Sequence, residues 1–158
     1  MSRPDKVGES GRFRAVAAAA LDGVAGTFGT TDSDGVGDLL AVAVDGNGQL
    51  VLADADACDG VIYVPESRRS NYRVTEVEQK TAIGGKTYTV FDRAEIAEME
   101  AGDDPLAAGD RVFSAAAGVI STVDDTGVYL GTILPNPVTG ANGLRLVLRV
   151  TPSGAAGS

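Results

Sequence analysis

The residues able to do chemistry are few, and the spacing of each cluster departs from what its chemistry needs. Gly84-Gly85-Lys86-Thr87 has the ending of a phosphate-binding loop, yet the pattern GxxxxGK[ST] requires a glycine where this chain has Lys80. The flanking segment reads as a hairpin rather than strand, loop and helix, so the glycines are assigned to a turn. The runs from Asp32 to Asp38 and from Asp54 to Gly60 carry alternating carboxylates, as calcium loops do. Such a loop also needs oxygen donors at alternating positions, glycine at the sixth and a bidentate glutamate at the twelfth. Counting from Asp32, the fifth residue is Val36 and the twelfth is Ala43; from Asp54, the sixth is Asp59 and the twelfth is Pro65. Both runs are read as acidic turns.

Acid–base and nucleophilic chemistry fare no better. Asp103-Asp104 and Asp124-Asp125 are adjacent pairs, whose side chains diverge in an extended chain instead of facing a shared cleft. Cys58 is the single cysteine and the chain has no histidine, so the usual thiol activation, an internal disulfide and a cysteine-built metal site are all missing. Lack of histidine also removes the commonest general base and the commonest transition-metal ligand. No catalytic, cofactor-binding or metal-binding residue is assigned, no cofactor is expected, and the chain is not expected to be an enzyme. Tyr63, Tyr72, Tyr88 and Tyr129 fall at scattered strand positions and read as packing.

What remains is basic. Arg3, Lys6, Arg12 and Arg14, with Phe13 among them, make one end cationic, and Arg68, Arg69 and Arg73 surround Tyr72. In a chain of net charge −9, local guanidinium groups can grip the carboxylates of a neighbour through paired hydrogen bonds. These residues are the candidate partner contacts.

The elements that must position them are strands. From Gly109 to Val150 the chain consists of short runs rich in Val, Ile, Leu and aromatics, cut by Gly, Asp and Asn. The last run alternates: Leu144, Leu146, Leu148 and Val150 share one face, with Arg145, Val147 and Arg149 on the other, wet or touching a partner. Upstream, Leu39 to Val44, the turn Asp45-Gly46-Asn47-Gly48 and the run Gln49 to Leu52 spell a hairpin. Val61 to Val64 reads as a strand stopped by Pro65. A second hairpin is expected from Arg73 to Thr81, through Gly84-Gly85, to the strand Lys86–Phe91. Asp92 and Glu95 have capping-box spacing, so Arg93 to Met99 is expected to be a short helix. The alanine-rich run from Ala15 to Leu21 suits either a helix or a closely packed strand.

The fold class expected is therefore mostly β: a compact β-barrel or sandwich of short antiparallel strands, with one short helix and extended N- and C-terminal arms. Residues 1–14 form a flexible or partner-docking arm, 15–150 a single β-rich domain with a hairpin-plus-helix insertion at 66–104, and 151–158 a tail of Pro, Ser, Gly and Ala. At 158 residues the chain can bury its own core. It is 44% hydrophobic but only 5% aromatic, with 21 glycines and no tryptophan, so the core is built from small aliphatic groups and gains from association. The acidity argues against nucleic acid as a partner, since that needs a basic footprint. No apolar run is long enough to span a bilayer, and the polar start suits a protein made in the cytoplasm.

The steps Gly109-Asp110-Val112-Phe113, Gly118-Val119-Thr122 and Gly131-Leu134, with the alternating strand Leu144–Val150, resemble the small head-decoration (capsid cement) proteins of tailed bacteriophages. The runs Ala41–Gly46 and Asp59–Val61 resemble that family's first hairpin, while Val74 to Met99 has no counterpart. The resemblance implies a homotrimer on the outer face of an icosahedral capsid, clamping neighbouring major capsid subunits against internal DNA pressure. It implies a virion protein with no membrane partner. The alternative is a β-domain of a phage tail or baseplate, or a host-surface adhesion domain.

Overall fold

A computed structural model describes residues 11–26, 28, 39–64, 66–68, 77–79, 81–99, 107–122, 126–135 and 144–151, with backbone alone at 66–68, 77–79 and 97–99. The strands are β1 (Arg12–Val16), β2 (Leu39–Val44), β3 (Leu50–Leu52), β4 (Gly60–Tyr63), β5 (Glu66–Arg68) and β6 (Val77–Gln79), followed by β7 (Thr87–Phe91), β8 (Arg93–Met99), β9 (Arg111–Ser114), β10 (Ile120–Ser121), β11 (Tyr129–Pro135) and β12 (Leu144–Arg149). The fold is mostly β, in two five-stranded antiparallel sheets of order β1-β7-β4-β2-β3 and β10-β9-β11-β12-β8. A separate ribbon pairs β5 with β6.

The first sheet curls into a half-barrel. Past the end of β1, Ala17 bridges Leu50 at the start of β3, so the two edge strands of the sheet meet at that point. Alternation then sorts the side chains into two cores. Leu40, Val42, Leu50, Ile62, Val64, Tyr88 and Val90 fill the concave side, which is plugged by Leu21 from the 3-10 turn Ala19–Leu21 and by Ala82. Residues of the opposite parity, Leu39, Ala41 and Val61, point outward and meet Val112, Leu130, Ile133, Leu146 and Leu148 of the second sheet. Strand β2 thus has both faces covered, and residues 39–43 are all buried. Each fully buried leucine or isoleucine contributes roughly 1.5–3 kcal/mol relative to exposure, so stability lies in many aliphatic contacts rather than a few aromatics.

The two sheets are joined by a corner at Asp92. Its N–H donates to the carbonyl of Gly11 at 3.0 Å and its carbonyl accepts from the N–H of Val150 at 2.8 Å, so β7 leaves one sheet and continues as β8 in the other. The turn Ala116–Gly118 adds a second tie, with the N–H of Gly118 donating to the carbonyl of Ala53 at 2.8 Å.

The hairpin β2–β3 and the strands β4, β9, β11 and β12 form where the apolar runs of the sequence place strands. Leu146, Leu148 and Val150 are buried, while Arg149 is exposed. Four expectations are corrected. Arg93 to Met99 is a strand, not a helix: Ala94 and Ile96 face the core, Arg93 and Glu95 face out, and β12 supplies an antiparallel ladder with one irregularity between Leu144 and Leu146. A helix this short would have little intrinsic stability. The second hairpin does not form, because β6 pairs with β5 whereas β7 pairs with β1 and β4. Within 66–104, β7 and β8 are integral to the two sheets and not parts of an insertion. Arg12 to Arg14 belong to β1 and not to a loose arm. The alanine-rich run resolves into the end of β1, the Ala17 bridge and a single 3-10 turn. Residues 1–10 and 152–158 lie outside the described residues.

Candidate interaction surface

The clusters that invite catalytic or metal readings direct their polar atoms at backbone. The carboxylate of Asp54 accepts from the N–H groups of Asp56 and Ala57, both at 2.8 Å, which shapes a tight turn. Asp59, 3% exposed, accepts from the N–H of Val44 at 2.7 Å. Asp45 likewise accepts from Asn47 and Gln49 in the β2–β3 turn. The run Asp32–Asp38 lies outside the described residues. Cys58 is buried with its Sγ 3.4 Å from the carbonyl of Gly60. Burial pushes its thiol up to about 12, with the neighbouring Asp59 adding to the rise, so it carries almost no thiolate. Gly84-Gly85-Lys86 turns into strand β7 instead of a helix, and the N–H of Gly84 donates to Asp22 at 3.0 Å.

A more promising feature is the outer wall of the half-barrel. Arg12, Arg14 and Val16 alternate outward along β1, in register with Phe91, Thr89 and Thr87 of β7. Beyond Ile62 and Val90 the pairing of β4 with β7 ends. The parted strands leave an open groove of about 240 Å³, lined by Tyr63, Val64, Lys86, Thr87, Tyr88, Thr89 and Phe91. Tyr63 is 54% exposed and Val16 is 38% exposed, both more than a packed side chain would be. Lys86 sits with its Nζ 5.1 Å from the centre of the Tyr88 ring, whose hydroxyl accepts from the N–H of Ile83 at 2.9 Å. The wall therefore combines two cations, Arg12 and Arg14, with an exposed aromatic ring, an exposed valine and threonine hydroxyls, and Lys86 stands at the end of the groove. Among the described residues neither Arg12 nor Arg14 has an ion-pair partner. Arginine and tyrosine beside small apolar groups is the composition of a protein-binding patch.

Of the partner contacts expected from sequence, Arg12 and Arg14 stand on this wall. Phe13 does not: its parity turns it to the concave side, where it is partly buried against the barrel core. Arg68 is placed in β5 by its backbone alone. Arg3, Lys6, Arg69 and Arg73 lie outside the described residues. The place of Tyr63, Thr87 and Thr89 on this wall was not legible in the sequence. The polar alternation of Lys86–Phe91 marked an exposed strand face, but only the nonlocal pairing with β1 puts it beside the arginines.

A scan against protein-family models finds no match, and a search of curated proteins finds none either.

Proposed function

We propose that this chain is a non-enzymatic structural protein of a tailed-bacteriophage virion, binding the outer surface of the icosahedral capsid and bridging major capsid subunits. The observation that carries this reading is the convergence of Arg12, Arg14, Val16 and Tyr63 on one wall of a rigid half-barrel. Such a wall favours a protein partner that offers carboxylates to the guanidinium groups and an apolar seat to the tyrosine. The sequence steps shared with head-decoration proteins support the same reading. So does a core of small aliphatic side chains, which gains stability when copies associate; the proposed assembly is a homotrimer.

The test is co-sedimentation of the purified protein with expanded empty capsids of the cognate phage, alongside its mass in solution by light scattering. The reading expects a trimer that travels with capsids, and a variant carrying Arg12→Ala, Arg14→Ala and Tyr63→Ala that stays folded and is left in the supernatant. A wild-type protein that ignores capsids overturns it in favour of a tail, baseplate or adhesion domain.

A further inference from the structure

The outer face of the second sheet is a different surface, and its charge runs against that of the whole chain. Register places Arg149 of β12 directly opposite Arg93 of β8, and both side chains are exposed. Two residues along, Val147 faces Glu95, and Arg145 pairs with the same Glu95 through Nη1 and Oε1 at 2.6 Å. Arg111 of β9 lies over an aromatic pair on that face, 4.9 Å from the ring centre of Tyr129 and 5.5 Å from that of Phe113. Among the residues whose side chains are described, four arginines thus share this face with one carboxylate, in a protein whose net charge is −9.

Like charges directly opposite each other across two strands destabilise a sheet. Glu95 is engaged by Arg145, and Arg93 and Arg149 have no ion-pair partner among the described residues. A fold standing alone gains nothing from the pair, whereas a docked carboxylate lying between two guanidinium groups would neutralise it.

We propose that this face, centred on Arg93, Arg149 and Val147, is a second docking surface, and that its occupant is an acidic protein segment. An acidic segment is favoured over nucleic acid or an anionic membrane by the charge balance. A polyanion of high charge density is repelled at long range by a chain of net charge −9, whereas a few carboxylates feel mainly the local arginines. Val147 and the Tyr129 ring give the same segment an apolar and aromatic footing. The inference rests on the register of β8 and β12 and not on the virion assignment.

The experiment follows the amide resonances of the isotope-labelled full chain during titration with an oligoglutamate peptide. Single-stranded oligodeoxynucleotide and phosphatidylserine vesicles are titrated in parallel. The expected result is perturbation confined to β8, β12 and the Arg111 strand, weakening as salt rises. The variant Arg93→Gln/Arg149→Gln should bind at least about tenfold more weakly while melting no lower than wild type, because its like-charge pair is gone. No perturbation, or perturbation on the Arg12 and Arg14 wall instead, overturns the proposal. Tighter binding of the oligonucleotide or the vesicles overturns the choice of occupant. A lowered melting temperature in the variant overturns it too, since the arginines would then be structural.

Discussion

The N–H of Val44 donates to a carboxylate oxygen of Asp59 at 2.7 Å, and the N–H of Asp59 donates to the carbonyl of Val42 at 2.9 Å. This two-way clasp holds the lead-in to β4 against β2 where β2 enters its turn. The carboxylate of Asp59 points inward at backbone and is 3% exposed. Asp59→Ala removes the acceptor and strands a backbone donor, so stability should fall by about 1–3 kcal/mol in urea denaturation. Asp59→Asn keeps an acceptor and should recover part of the loss. An alanine variant as stable as wild type would show that the clasp contributes nothing.

Gly118 has φ +73, a backbone conformation open to glycine, and a Cβ built there would lie 2.8 Å from Leu40 Cδ1 and 3.0 Å from the carbonyl of Ala41. The side-chain end can yield, but the carbonyl belongs to a central strand. Gly118→Ala is expected to cost about 1–3 kcal/mol through overpacking and left-handed strain together. Its neighbour Ala117, with φ 59 and an exposed methyl group, is the internal control. Ala117→Gly should be neutral or stabilising by up to about 1 kcal/mol. Thermal melting of the two variants should move in opposite directions or leave Ala117→Gly unchanged.

Cys58 makes a prediction about alkaline pH. Its thiol is raised from 9.0 in the unfolded chain to about 12 in the fold, chiefly by burial. A group raised by folding contributes its full stability below the unfolded value and loses it as pH climbs toward the folded one. Wild type should therefore lose stability steadily as pH climbs from 9.0 toward about 12, by on the order of a kcal/mol per pH unit. Because tyrosines and lysines also titrate there, the measurement is the difference between wild type and Cys58→Ala across that range. A difference independent of pH would contradict the buried, protonated thiol. Native protein should also resist alkylation that the unfolded chain accepts.

Strands with their own alternation or tight turn were legible in the sequence, whereas the distant partner that each would pair with was not. Leu146, Leu148 and Val150 announce a core face by alternation alone, and Asp45-Gly46-Asn47-Gly48 announces its own hairpin. Arg93 to Met99 carries a helix-capping pattern at Asp92 and Glu95, yet the peptide groups of Asp92 bond to Gly11 and Val150, far away in the chain. No local rule reports that β12 is waiting as a partner. Phe13 looked like a contact because its neighbours are arginines, but strand parity separates it from them. Likewise Arg93, Arg111, Arg145 and Arg149 come from three strands, and only their register gathers the charge on one face.

Tyr63 separates the wall's role in binding from its role in the fold. Its backbone belongs to β4, paired with Leu39, but its ring lies on the outward side and is 54% exposed. The concave neighbours Ile62 and Val64 carry the packing at this end of the strand. Tyr63→Ser therefore leaves the concave core intact and should lower stability by no more than about 1–2 kcal/mol. An aromatic side chain at the centre of a docking patch behaves differently. Its loss there typically costs 2 kcal/mol or more of binding, roughly a thirtyfold drop in affinity. Capsid co-sedimentation and thermal melting of one variant thus give two independent numbers. Lost binding by a variant that is still folded places the tyrosine in the interface. Unchanged binding moves the interface off this wall, whatever the melting temperature does.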